Sequence, residues 1–425
     1  MLMAALGNAA PGATMNEPKL TATNTVALDA LVSEALCKNP ELKFYEAEIA
    51  AAKAGRKTAG LLANPEVNGS AGRKTVRGGG LSAEGVAWSV SVAQPFEWPG
   101  RIGLRKAIAN RDIELAELGY ERFKLALVGR VRTLAYGLFA AQEKAAVARE
   151  VAERFTALRE VLVQRDPAGL TPLLETRIIE ATELTVQRKA SDAALATQAG
   201  LLELNQLRGV APENRLAVGQ TQLTFRPAEN RETLTALART NNFELRLRAV
   251  ELTQQGFRVD LARNERFPTI AVGPTVSEEH AGDRERIIGV SVSLPLPLWN
   301  RNTGDIEAAK ARRMQAEVSL HVAAREVERK VVEAALAYET RLGEMAKWHP
   351  DSVQHFREAA EVADRHYRLG AVPVSTYVEL QKQYLEAVEG LLDTKKEALD
   401  AAQQLELLTG LPVPLASASA TEEAK

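Results

Sequence analysis

The sequence predicts a mainly α protein with a small β part, built from internally duplicated long helical hairpins. Three observations carry this. After Gln94-Pro95-Phe96-Glu97-Trp98-Pro99-Gly100-Arg101, the chain runs to Asp166 without a proline and is rich in Ala, Leu, Glu, Arg and Lys, all good helix formers. Just before that run, Val86 to Ala93 alternates large apolar with small or polar residues, the period of a strand. Finally, landmarks recur at a near-constant spacing. Asn242 follows Asn39 by 203 residues, Pro268 follows Pro65 by 203, Pro295 follows Pro95 by 200, and Gly410 follows Gly209 by 201. Such spacing at four separated points indicates an internal duplication.

Taken in order, residues 1–25 read as the remnant of a signal segment or as a disordered tail. Residues 26–227 form the first repeat. Leu28, Leu31, Val32 and Leu36 have helical spacing. Asn39-Pro40 interrupts that helix and starts another that runs to about Leu62. A weak strand follows over Glu66 to Ala71, and Gly72 to Gly80 reads as a mobile basic loop. The Val86 strand then turns through a proline-bearing corner into a helix of roughly 60 residues, about 90 Å long at 1.5 Å each. A helix of that length needs partners lying alongside. Asp166-Pro167-Ala168-Gly169-Leu170 makes a turn. The return helix covers Thr171 to Arg208, Gly209 caps it, and Val210 to Pro227 is a linker.

Residues 228–413 repeat the plan. Strand patterns cover Thr269 to Ser277 and Ile287 to Leu294. A long helix covers Thr303 to Tyr367, with an interruption marked by Pro350. Leu369-Gly370-Ala371-Val372-Pro373 makes the turn, and a return helix ends near Gly410. Residues 414–425 are expected to be a disordered tail.

Two strands per repeat give four per chain. Four strands cannot close a barrel, and an open sheet exposes unpaired edges. Large apolar residues alternating with small or polar ones over about ten residues fit an outer-membrane barrel strand. Closure by several chains resolves the conflict, with the helix pairs continuing away as a tube. Pro95, Pro99, Pro295 and Pro297 then mark the barrel-to-tube corners, because proline ends a sheet ladder and suits a helix start.

Composition narrows the function. The formal net charge is −2, which gives no strong pull toward nucleic acid. No run of 18 apolar residues is present. The single cysteine, Cys37, lies in a helical pattern and is expected to be a buried thiol. The five histidines, His280, His321, His349, His355 and His366, lack metal-site spacing to carboxylates. No nucleophile motif, phosphate loop or dinucleotide fingerprint stands out, and Gly78-Gly79-Gly80 lacks the strand-then-helix context. A non-enzyme without a cofactor is expected.

The sequence resembles the TolC family of bacterial outer-membrane efflux channels. The resemblance rests on Ala35 to Leu42, Gln94-Pro95-Phe96, Leu294 to Asn302, Tyr367-Arg368-Leu369-Gly370 and Leu408-Thr409-Gly410, and spans about Leu28 to Pro412. Gln94 to Glu97 with Pro99-Gly100-Arg101, and Pro295 to Asn302, look most like the heavy-metal (cobalt–zinc–cadmium) branch. The resemblance implies a homotrimer with a twelve-stranded outer-membrane barrel and a twelve-helix tunnel through the periplasm. It also implies contact with outer-membrane lipid, a periplasmic adaptor protein and an inner-membrane pump of the resistance–nodulation–division type.

By the same resemblance, the turns at Asp166, Pro167, Ala168 and Gly169 and at Leu369, Gly370, Ala371 and Val372 would meet the adaptor. Glu379 matches an acidic gate position, and Asp364 and Arg368 lie near the same end. Where a second acidic residue would stand three positions earlier, this chain has Thr376. A solvated helix face is the competing reading of Glu379. At the level of the whole chain, the alternatives are a drug or organic-solvent efflux channel of the same family, and a soluble periplasmic coiled-coil scaffold or adaptor. The scaffold leaves the four alternating strands unexplained.

Overall fold

The computed structural model describes residues 25–78, 81–165, 173–219, 221–349, 351–410 and 414–420. Strand β1 (Thr25–Val26) leads into α1 (Leu28–Lys38) and α2 (Pro40–Ala59). Next come β2 (Glu66–Gly78), β3 (Leu81–Phe96), the 65-residue α3 (Arg101–Arg165) and α4 (Leu173–Arg208). Two short strands, β4 (Ala217–Val218) and β5 (Thr221–Phe225), precede α5 (Arg231–Asn241) and α6 (Phe243–Glu265). Strands β6 (Ile270–Ala281) and β7 (Asp283–Ser293) lead to α7 (Thr303–Met345), α8 (Ser352–Arg368), α9 (Val374–Thr409) and β8 (Ala416–Ala420).

The helix breaks are built alike in both halves. Asn39 Oδ1 accepts the Glu41 N–H at 2.8 Å and so caps α2, while its Nδ2 donates to the Leu207 carbonyl at 2.9 Å. Asn242 Oδ1 accepts the Glu244 N–H at 3.0 Å, and its Nδ2 donates to the Leu408 carbonyl at 2.8 Å. Each buried asparagine thus satisfies an orphan donor at one helix start and an orphan carbonyl at another helix end. Gly209 and Gly410 follow those ends with φ of 64° and 61°, the left-handed conformation that closes a helix.

At 1.5 Å per residue, α3 is about 98 Å long. Its first half lies against α2 and α6, and its second half against α4 and α9. The main core follows this axis through Val131, Ala135, Tyr136, Phe155, Tyr338 and Leu405. A helix that changes partners halfway is apolar on different sides along its length, so no single stripe dominates the sequence of α3.

The main sheet is antiparallel, in the order β2-β3-β6-β7. Its register sorts the side chains by face. One face carries Val67, Val86, Trp88, Val90, Val92, Ile288, Val290 and Val292, all exposed in the single chain. The other carries Ser70, Ser89, Ser91, Thr275, Ser277 and Ser291. Gly273 is required where β6 meets β3, because a Cβ there would lie 1.6 Å from the Val92 carbonyl oxygen.

Several expectations need correction. The segment from Gly72 is not a loop: Arg73 to Arg77 lie inside β2, laddered to β3, and Lys74 reaches Glu279. Pairing along β3 overrides its polar composition. Pro95 lies within β3, opposite Ala271, one residue from the strand end, where a missing donor is tolerated. Pro99 precedes the turn residue Gly100 (φ 90°) rather than starting α3. The interruption expected at Pro350 is there: the stretch from Thr303 to Tyr367 is two helices with a break after Met345, and Pro350 itself lies outside the described residues.

The linker and the tail also contain strands. β4 pairs with β1 in parallel, and β5 pairs with β8 antiparallel. Their alternation is too short and too small in side chain to register as a pattern. Cys37 is exposed. The buried stripe of α1 is Leu28, Leu31, Val32 and Ala35, and Cys37 falls about 180° from it at 100° per residue.

Candidate functional site

The chain has two chemically distinct ends. At the strand end, Arg101 at the start of α3 is the hub. Its Nε donates to Asn264 Oδ1 at 3.1 Å, and its Nη1 to Thr269 Oγ1 at 3.1 Å. Its Nη2 donates to the carbonyls of Asn264 at 3.1 Å and Phe267 at 2.7 Å. Asn264 returns a bond from Nδ2 to the Pro99 carbonyl at 2.9 Å. Beside this hub, Arg105 grips Glu97 with both terminal nitrogens, at 2.7 and 2.8 Å. Trp98 stacks on Phe267 with ring centroids 4.6 Å apart. In the second half, Asn302 takes the left-handed conformation (φ 59°) and donates to the Ala262 carbonyl at 2.8 Å. Pro295 and Pro297 lie in the irregular segment between β7 and α7. The first corner is therefore fastened across the two halves to the end of α6, and the second to α6 within its own half, by residues that the prolines alone did not indicate.

At the other end of α3, a polar cluster around buried Gln381 joins three helices. Arg154 donates to Glu150 at 2.6 Å and to Gln381 Oε1 at 3.3 Å, and lies 3.7 Å from Glu361. Gln381 is wholly buried, and its Nε2 donates to the Ala360 carbonyl at 2.8 Å. The α3–α4 pair has its own tie, in which buried Glu183 accepts from Thr156 at 2.8 Å and meets Arg159 at 2.9 Å. Tyr377 stacks on Tyr367 at 5.3 Å and meets Phe155 edge-on at 5.4 Å. The Tyr367 hydroxyl reaches Glu175 at 3.5 Å. Burial, and then the Glu175 charge, push the Tyr367 phenol above its ordinary pKa. Gln381 was detectable in the sequence as one polar residue between Tyr377 and Leu385 on an apolar stripe. Arg154 carried no comparable signal.

Only two of the three expected gate residues are brought together. Asp364 and Arg368 form an ion pair at 3.0 Å within α8. Glu379 is exposed on α9, on the side away from Tyr377 and Gln381, and accepts from Gln383 at 2.9 Å. No hydrogen bond or ion pair among the described residues links it to Asp364 or Arg368. Leu369, Gly370 (φ 74°), Ala371 and Val372 form the α8–α9 turn. Asp166, Pro167, Ala168 and Gly169 lie outside the described residues.

Among the described residues no group of His, Cys, Asp and Glu is arranged to hold a metal ion. No helix there is long and apolar enough to cross a membrane; this does not bear on the sheet.

The model of the family described as outer membrane efflux protein matches residues 31–210 and 234–411. The chain belongs to the outer membrane efflux protein family. It is an outer-membrane efflux channel that extends into the periplasm. It is 23% identical to the cobalt-zinc-cadmium resistance protein CzcC of Cupriavidus metallidurans over 294 residues, covering 68% of this chain and 67% of that one. It is 22% identical to the pyoverdine export outer membrane protein OpmQ of Pseudomonas aeruginosa over 403 residues, covering 88% and 83%. The fold is similar to that of the Campylobacter jejuni CmeC outer membrane channel, with a TM-score of 0.72 at 16% identity, covering 95% of this chain and 93% of that one.

Proposed function

We propose that three copies of this chain close into one channel. It would carry heavy-metal cations, handed over by a periplasmic adaptor and a resistance–nodulation–division pump, through the periplasm and out of the cell. The observation that carries the reading is the four-stranded sheet. Its edges, β2 and β7, have no partner strand among the described residues, and its apolar face is bare. Both features are tolerated only in a closed wall facing lipid. Two copies would give eight strands, whose interior side chains fill; three give twelve, wide enough for water.

Dimensions agree. The rungs on this face of β3 from Val86 to Phe96, apolar except at Gln94, run about 34 Å along the strand at 3.4 Å per residue. Tilted by about 45°, they span about 24 Å, close to the apolar band of an outer-membrane barrel. Phe96, Trp98, Phe267 and Trp299 sit at the corner end of that band and are exposed, where an aromatic girdle belongs. The exposed Met314, Val318 and Val322 on α7 offer an apolar stripe to a neighbouring copy. In this assembly the two halves, residues 26–227 and 228–413, act as equivalent repeats. The turns at 166–169 and 369–372 form the adaptor-facing tip, and Glu379 supplies an acidic ring near it.

CzcC supports a metal cargo, and OpmQ supports export of an organic molecule through the same architecture. The order of Gln94 to Arg101 and of Pro295 to Asn302 favours the metal reading. Native mass spectrometry of the detergent-solubilised protein tests the assembly. A mass of three copies is expected, and a monomer in every mild detergent would refute it. Cobalt, zinc and cadmium tolerance of a strain lacking the chain tests the cargo. Unchanged tolerance to all three would remove the metal reading and leave the channel.

A further inference from the structure

From the row of Trp88 outward to the hairpin ends, the two faces of the sheet carry opposite charge. On the apolar face, the register continues into Arg73 and Arg77 of β2, Glu84 of β3, Glu278 and His280 of β6, and Arg284 and Arg286 of β7. Four arginines against two glutamates leave this side two positive charges per chain, with His280 counted neutral. The opposite face at the same height carries Lys74, Glu279, Asp283 and Glu285, a balance of two negative charges. The polarity therefore inverts across one strand thickness, which a merely solvated rim would not require.

The arginines are held in place. Glu278 sits between two of them, accepting from Arg284 Nε at 2.7 Å and from Arg286 Nε at 3.0 Å and Nη2 at 2.8 Å. Among the described residues no bond is made by the Nη1 of either guanidinium. Arg73 is 3.4 Å from Glu84, and Arg77 has no side-chain partner among the described residues. The single carboxylate thus fixes two guanidinium planes side by side and leaves donors facing outward.

We propose that this arginine collar binds the phosphates of lipid headgroups in the leaflet that surrounds the hairpin ends. The proposal rests on the reading of the sheet as a lipid-facing wall. Arg73 stands directly opposite Val86, and Arg286 is one rung beyond Ile288. One rung is about 7 Å along the strand, or about 5 Å in height at a 45° tilt. That is where headgroups begin, since a hydrocarbon core of about 30 Å is flanked by polar layers that bring the bilayer to about 40–45 Å. Guanidinium forks suit phosphate oxygens by shape and charge. The collar is continuous with the apolar belt, so a lipid inserted along the belt brings its phosphate to the arginines without leaving the bilayer.

The test uses the purified full-length protein in detergent, offered lipid A with both phosphates or the same lipid dephosphorylated. Bound lipid is counted by native mass spectrometry. The wild type is expected to retain the phosphorylated lipid at least tenfold better, and inorganic phosphate at equal concentration should not displace it. The combined R77Q, R284Q and R286Q variant should bind both lipids alike, and the corresponding lysine variant should keep part of the preference. Equal retention of the two lipids by the wild type would overturn the proposal whether or not the variants assemble. So would an unchanged preference in the glutamine variant, or displacement by inorganic phosphate. A protein that fails this test yet conducts ions as a trimer loses the collar and keeps the channel.

Discussion

Arg101 and Asn264, 163 residues apart, bind each other reciprocally: the guanidinium donates to the amide oxygen and backbone of Asn264, and the amide nitrogen donates to the carbonyl of Pro99. The bond joins the start of the longest helix, α3, to the end of α6 in the other half. It fixes the angle at which the sheet gives way to the hairpins.

Removing that joint should loosen the corner without unmaking the helices. Arg101→Ala deletes four donated hydrogen bonds and is expected to cost at least about 2–3 kcal/mol, since a hydrogen bond to a charged group contributes roughly 1.5–3 kcal/mol net and the four are not additive. Asn264→Leu should cost less, about 1–2 kcal/mol, because the Arg101 bonds to backbone carbonyls survive. Thermal melting followed by circular dichroism checks the order. Equal stability of both variants with wild type would remove the corner from the account.

Two glycines separate a packing requirement from a chain-entropy effect. Gly273→Ala places a methyl against the Val92 carbonyl and should disrupt the β3–β6 pairing, at a cost on the order of 3 kcal/mol or more. Gly256→Ala, in the interior of α6 with nothing within 4 Å of the new carbon, should stabilise by about 0.5–1 kcal/mol. Heat-dependent mobility on semi-native gels reads both. A harmless Gly273→Ala would mean that the two strands do not meet as described.

Glu406 makes stability depend on pH. Burial raises its carboxyl above the ordinary 4.5, while its Oε1 accepts the Leu415 N–H and anchors the chain leading into β8. The folded state then holds a proton more tightly than the unfolded state. Its stabilising share is fully present below about pH 4.5 and is lost as pH rises through the raised value. Glu406→Gln keeps an acceptor and removes the titration, so its melting temperature should fall less between pH 5 and 7 than that of the wild type. Parallel curves would contradict the linkage.

The cluster around Arg154 is expected to hold the tip. Gln381→Leu leaves the Ala360 carbonyl and one Arg154 donor without a partner, at about 1–3 kcal/mol for buried polar groups. Cells carrying it should become more sensitive to large antibiotics that the closed channel excludes. Unchanged sensitivity with reduced stability would make the cluster structural only.

Much of this was legible in the sequence. The asparagines at 39 and 242 marked equivalent helix breaks, and each does two jobs at one junction. The Val86 alternation gave the strand and its face. What escaped was set by partners distant in the chain. Arg73 to Arg77 look like a loop until β3 ladders them, and β8 exists only because Thr221 to Phe225 lie opposite it. Arg154 is an ordinary arginine of a helical run and Arg101 was marked only as part of the Pro99-Gly100-Arg101 motif; only the fold brings their acceptors to them. Glu379 was named only by resemblance to a gate position; in the single chain it is exposed, apart from Asp364 and Arg368.

The most direct measurement is ion conduction by the purified protein in a planar bilayer, with wild type, Gln381→Leu and Glu379→Ala compared. The account predicts discrete single-channel steps, a higher open fraction in Gln381→Leu, and weaker cation preference in Glu379→Ala. Bilayers that stay silent with trimeric Gln381→Leu protein, in which the tip tie is already broken, would contradict the channel itself.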